Sequence, residues 1–297
     1  MKKAFVVTIN EGYMFALNCA FNANKFFGTN ADFHVLYHHE TPEEYRTACT
    51  KAFAPYFKIV WTPLLDGYEY RSLYGAFYSA KYKRALDISD EYDSVCIIDG
   101  DYFLCCDVTQ FFHRCIDGPF IAAGHVHSGD VEMEWGNPEA VINRCQCGFA
   151  DFPVFIDCKR DKQFLTDWFD YCHAYPEGDE RSHPLIAFNR AIVKNYTKDN
   201  VLMLEGDHWV FDRVYWIFKL KRVGNELQYE EDNSKIFGIH NRWWQSGRAE
   251  TEIRNGRASP NIDTGMNNMN LIRDFMAEFN EMTPESKRND YEKKIFA

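Results

Sequence analysis

The stretch that most constrains this chain is Ser94 to Asp107, SVCIIDGDYFLCCD. Val95, Cys96, Ile97 and Ile98 form a short apolar run without polar alternation, the pattern of a strand covered on both faces. The run stops at Asp99-Gly100-Asp101, so the strand delivers two carboxylates to its own carboxyl end. In an open α/β sheet, ligands collect in the crevice beyond that end, where paired acids are placed to hold a divalent cation. Asp-Gly is also a common turn dipeptide, and the tripeptide alone would describe a solvated turn. Its place behind three earlier strand candidates and a Lys/Arg-bearing helix favours the metal reading.

The rest of the pattern alternates strands with helices. Ala4 to Asn10, Asp32 to His38 and Phe57 to Trp61 read as strands, and Gly12 to Phe27 and Leu73 to Ile88 as helices. Thr41-Pro42-Glu43-Glu44 carries the signature of a capping box opening a helix that runs to about Phe53. Such alternation with short links predicts a mainly parallel sheet with right-handed crossovers. Further on, Pro119 to Gly124 and Phe152 to Asp157 read as strands around a loop or partly helical excursion, His125 to Gly148. Helices are expected over Lys162 to Tyr175, Pro184 to Asn195 and Met266 to Glu281. Short strands are expected at Val201 to Leu204, Val214 to Lys219 and Lys235 to His240.

With 297 residues and 46% hydrophobic content the chain is ample for one large core, and widespread disorder is excluded. No charged and apolar leader opens it and no run of eighteen apolar residues interrupts it, so a cytoplasmic protein without a membrane span is expected. The ten cysteines are then reduced thiols, several of them small core residues. A net charge of -11 argues against a surface built throughout for nucleic acid. Between Arg213 and Arg257, however, nine basic residues stand against six acidic ones. That bias offers a local anion-binding region, or simply a solvated basic surface.

Four features together resemble the GT-A-type nucleotide-sugar glycosyltransferases, and among these the retaining family of glycogenin and the bacterial lipopolysaccharide galactosyltransferases. They are the Val6 to Asn10 strand VVTIN, the Lys81 to Arg84 helix ahead of the strand ending in Asp99-Gly100-Asp101, the later strand FPVFID, and Ile236 to His240, a strand ending in His. The resemblance spans roughly residues 4 to 250. It implies an α/β GT-A (Rossmann-like) fold, a mainly parallel central sheet flanked by helices. A catalytic domain over 1–250 and a C-terminal helical extension over 251–297 follow.

The resemblance also implies a chemistry and a set of roles. Transfer from a nucleoside-diphosphate sugar, a UDP-sugar first among them, expels a diphosphate whose charge a divalent ion neutralises. Asp99, Asp101 and His240 would hold that ion, with Asp99 shared with the ribose. An imidazole in the shell suits Mn²⁺ (or Mg²⁺) better than Ca²⁺. Thr8, Asn10 and Tyr13 are expected at the base and ribose, and Lys81 and Arg84 at the donor phosphates or sugar. After His240 the chain departs from the family, and there its own Arg242 and Arg248 could hold diphosphate oxygens. Trp243 and Trp244 would cover a sugar or base. Where the family has Asn-Ala-Gly this chain has Asp151-Phe152-Pro153, which makes Asp151 a sugar ligand or catalytic carboxylate. Asp207 and His208, with Glu205, are further general-base candidates.

Two departures leave the stereochemistry open. The family's acidic cluster should fall near Ser182 to Asn189, where the chain reads SHPLIAFN, and no Lys-Pro-Trp follows His240. The acceptor is equally open: a glycan, a small molecule or, as a minority reading, a modified DNA base. A metal-dependent nucleotidyltransferase and a non-catalytic sugar-nucleotide-binding protein are the rival readings. The first would want a glycine-rich phosphate loop, which Asn10-Glu11-Gly12 does not supply.

Overall fold

The computed structural model describes residues 1–9, 14–27, 29–39, 41–64, 76–124, 132–144, 147–176, 179–209, 219–240 and 262–278. The first half runs β1 (Lys3–Ile9), α1 (Met14–Phe27), β2 (Asp32–Tyr37), α2 (Glu43–Phe53), β3 (Ile59–Pro63), α3 (Ala76–Asp87), β4 (Ser94–Ile97) and β5 (Tyr102–Leu104). After α4 (Thr109–Cys115) come β6 (Phe120–Gly124), α5 (Pro138–Arg144), β7 (Phe149–Asp157), α6 (Lys162–Cys172) and α7 (Pro184–Asn195). The chain continues through β8 (Val201–Leu204), α8 (Gly206–Trp209), β9 (Leu220–Val223), β10 (Glu226–Tyr229), β11 (Gly238–His240) and α9 (Ile262–Glu278).

Seven of these strands form one sheet in the order β3-β2-β1-β4-β7-β6-β8. Its pairings are parallel except at β7, which runs antiparallel to both β4 and β6. The sheet is thus mainly parallel, as the alternating pattern predicts. The reversal arises because β6 crosses over through α4 one position too far, and β7 returns beside it to fill the gap.

Strand β1 shows why the centre lies here. Its side chains alternate between faces: Phe5, Val7 and Ile9 join Phe21, Phe33 and Phe53 on one side, while Ala4 and Val6 join Tyr82, Val95 and Ile97 on the other. Phe5 stacks on Phe33 at 4.9 Å between ring centroids, and Trp168 packs on Phe188 at 4.5 Å. Each such side chain, wholly buried, contributes about 1.5–3 kcal/mol.

Some local expectations differ from the structure. The capping box at Thr41 does not form: Pro42 occupies the N-cap, and the buried Thr41 hydroxyl has no hydrogen-bond partner among the described residues. Proline stands one position too early for the hydroxyl to reach the third helical amide. The strand expected from Phe57 begins at Ile59. Residues 214–218 of another expected strand lie outside the described residues. Helix α9 starts before Met266 and packs on the β9/β10 hairpin, where Asn268 Oδ1 accepts from the Leu220 amide at 3.0 Å and Glu278 takes a bidentate pair from Arg222. No helix among the described residues is long and apolar enough to cross a membrane.

Candidate metal centre and donor crevice

The crevice is built from the end of β4 outward. Ile98 still donates to Val6 O at 3.1 Å, and Tyr102 N donates back to Asp99 O at 3.1 Å, closing Asp99-Gly100-Asp101 into a tight turn. The chain then enters β5, which pairs antiparallel with β11 and sets His240 opposite Tyr102. His240 thus belongs not to the central sheet but to this separate two-stranded ladder. The ladder brings it beside Asp101, with Nε2 3.2 Å from Oδ1.

One ligand atom from each of Asp99, Asp101 and His240 lies within 4.8 Å of the others. Asp101 and His240 are buried and Asp99 is half-buried. Phe152 walls the group, its ring edge-on to His240 at 4.7 Å. The ammonium of Lys81, 2% exposed, forms an ion pair with Asp99 Oδ1.

Electrostatics bear on whether these residues suit a cation. Burial raises the Asp99 carboxyl above its ordinary range; Lys81 opposes this, while Asp151 and Asp101 add to it. Burial also acts to raise Asp101, but His240 and a backbone amide outweigh it and hold the group low. Burial would lower Lys81, but Asp99 and then Asp151 overcome it and keep the ammonium charged. Among the described residues three carboxylates therefore share one fixed cation, and the surplus negative charge, with an imidazole at its edge, fits a divalent ion.

Asp151 stands on β7, close enough to Asp99 and Lys81 for its charge to act on both. Its Oδ2 accepts from the Tyr82 hydroxyl at 3.1 Å. Thr8, on β1 two residues past the partner of Ile97, has a buried hydroxyl without a hydrogen-bond partner among the described residues. These positions share the carboxyl edge of the sheet with the acidic pair.

Arg84 does not. Helix α3 runs antiparallel to the strands, so the turn separating Arg84 from Lys81 carries it about 4.5 Å toward the amino edge. There its Nη2 lies 3.0 Å from His34 Nδ1. A guanidinium only donates, so Nδ1 accepts and His34 is neutral with its proton on Nε2. Nε2 then donates to Tyr92 OH at 2.9 Å, and Tyr92 donates to Asp32 at 2.8 Å. This series of hydrogen bonds engages Arg84 away from the three-residue group.

His208 is likewise apart from the three-residue group. It follows β8, three strands from β4 in the sheet, and its carbonyl accepts from the Phe237 amide at 2.8 Å, three residues before His240. Its Nδ1 lies 2.8 Å from Lys235 O and its Nε2 3.3 Å from Glu205. Asn10, Tyr13, Arg242 and Arg248, with Trp243 and Trp244 and the side chain of Asp207, lie outside the described residues. Sequence reasoning missed Tyr82 and Phe152. Tyr82 is signalled only as one more aromatic in an apolar helix, and Phe152 as one more strand residue. Asn189, which closes the SHPLIAFN stretch, has a structural part: its side chain bonds both the Phe149 amide and carbonyl, at 3.0 and 2.9 Å, clamping α7 to the start of β7.

No protein-family model matches the sequence, and no curated protein matches it. Solved structures do match. The galactosyltransferase LgtC, crystallised with donor and acceptor sugar analogues, is 14% identical with a TM-score of 0.56, over 96% of this chain and 99% of that one. The bifunctional glycosyltransferase WbbM, in its apo form, is 14% identical with a TM-score of 0.50, over 70% of this chain. GlyE from Streptococcus pneumoniae TIGR4 is 17% identical with a TM-score of 0.48, over 72% of this chain. The chain spans only 40% of the length of WbbM and 48% of GlyE. The fold is GT-A, an α/β sheet with an Asp-Asp-His group at its carboxyl edge. At the level of fold the resemblance extends over essentially the whole of LgtC.

Proposed function

We propose that this chain is a metal-dependent glycosyltransferase that takes a sugar from a nucleoside-diphosphate sugar, a UDP-sugar first among the candidates. The observation that carries the reading is the convergence of Asp99, Asp101 and His240, the last 139 residues beyond the second, on one point of the crevice. These three would hold Mn²⁺ or Mg²⁺, which when bound neutralises charge on the departing diphosphate. Lys81 keeps Asp99 oriented, Phe152 limits water at His240, and Asp151 faces the sugar as a ligand or catalytic carboxylate. Thr8 is placed for the nucleotide, with Asn10, Tyr13, Arg242 and Arg248 as further proposed donor contacts.

A neighbour of the same fold holds donor and acceptor sugar analogues together, which supports a carbohydrate acceptor over a small metabolite or a DNA base. The test is release of nucleoside diphosphate from a panel of sugar nucleotides with Mn²⁺. Release in the wild type, abolished in Asp101→Ala, supports the reading. Pyrophosphate formed instead from a nucleoside triphosphate and a sugar 1-phosphate makes the protein a nucleotidyltransferase, and binding without turnover in the presence of varied glycans makes it a binding protein.

A further inference from the structure

We infer that Tyr82 is a positioning residue for the donor sugar, acting through Asp151, and that the pair selects neutral, hydroxyl-bearing sugars over acidic ones. The inference rests on the sugar-nucleotide reading above.

The Tyr82 ring is wholly buried and lies flat against Trp168, with centroids 3.5 Å apart and planes 23° from parallel. Its hydroxyl therefore points from a fixed platform. Burial, reinforced by Asp151, pushes the phenol well above its ordinary range, so it stays protonated and donates to Asp151 Oδ2 at 3.1 Å. Asp151 is half-buried, and its other oxygen accepts no hydrogen bond from the described residues. A carboxylate pinned at one oxygen can rotate little, and this one lies close enough to Asp99 and Lys81 for its charge to act on both.

Such an oxygen only accepts, so it recognises a group that donates, and on a sugar that is a hydroxyl. A uronate would instead set its carboxylate against Asp151 and Asp99 in a partly desolvated crevice where Lys81 is already committed. Tyr82 and Asp151 come from α3 and β7, which no local pattern links. Trp168 on α6 completes the brace.

The experiment uses the full chain with Mn²⁺ and titration calorimetry against UDP, UDP-glucose and UDP-glucuronate. The proteins are wild type, Tyr82→Phe, Asp151→Ala and the double variant; GDP, ADP and dTDP with their glucose conjugates replace the uridine set should UDP not bind. Wild type is expected to bind the glucose conjugate at least tenfold more tightly than a uronate, a margin that Asp151→Ala narrows. Tyr82→Phe is expected to weaken the glucose conjugate about tenfold while leaving the free diphosphate within twofold. In the Asp151→Ala background the same change should have no further effect. Equal loss for diphosphate and conjugate, no loss for either, a persisting effect without Asp151, or a wild-type preference for the uronate each overturns the inference. If none of the diphosphates binds with Mn²⁺, the underlying sugar-nucleotide reading has failed instead.

Discussion

Gly238 and Tyr102 share a space that only one side chain can fill. The two stand diagonally across the β5/β11 ladder, and a Cβ at position 238 would overlap the Tyr102 hydroxyl and ring. Because the glycine leaves room, β11 lies close enough for His240 to meet Asp101. Gly238→Ala should therefore push β11 outward and weaken Mn²⁺ binding at least tenfold. Tyr102→Ala alone should cost about 3–5 kcal/mol through the cavity it leaves. In the Gly238→Ala background the same truncation should cost clearly less, which a double-mutant cycle in denaturant measures. Strict additivity would mean the two do not compete.

Lys81→Met should destabilise the protein by roughly 3–5 kcal/mol, because it strands Asp99 beside Asp101 and Asp151 with no fixed cation. Mn²⁺ should restore part of that loss, and the variant's Tm should rise more on adding metal than the wild type's does. A metal response equal to the wild type's would contradict the shared-charge account.

His34 should make stability pH-dependent on the acid side. Burial, and then the Arg84 charge, lower it from 6.5 to about 4. The unfolded chain thus takes up this proton first, so stability is intact above about pH 6.5 and declines as pH falls toward 4. Discounted for solvent screening, the loss is on the order of 1–2 kcal/mol. Tyr92 and Asp32 complete the chain of hydrogen bonds. His34→Gln should lower stability at neutral pH but flatten the slope across that window; urea midpoints at pH 4.5 and 7 decide it.

Asn189→Ala should loosen the start of β7. It leaves the Phe149 amide and carbonyl buried without their partner, at about 1–3 kcal/mol for each such group. Hydrogen exchange at Phe149 should accelerate while that at Phe5 in β1 changes only by the global loss. Uniform acceleration throughout would mean that Asn189 supports the whole domain rather than this strand.

The parts of the fold legible in the sequence were those set by local pattern. Strands such as Val201–Leu204 and the helix Pro184–Asn195, with its proline at the first turn, announce themselves through apolar period and end signals. The turn Asp99-Gly100-Asp101 is legible because its strand is apolar right up to it. What was not legible depends on pairing between distant segments. Nothing near His240 says that its strand joins β5 rather than the main sheet, and nothing near Tyr82 says that its hydroxyl ends at Asp151. Arg84 misleads for a related reason: three residues from Lys81 reads as one helical face, but the helix direction carries it toward the opposite edge, to His34.

The most direct measurement is calorimetric titration of Mn²⁺ into wild type, Asp101→Asn and His240→Ala, each with and without nucleoside diphosphate. The account predicts one tight site in the wild type, strengthened by the diphosphate, and at least a hundredfold loss in either variant while both remain folded. Undiminished binding in His240→Ala would contradict it, since the imidazole would then stand beside Asp101 without holding the ion.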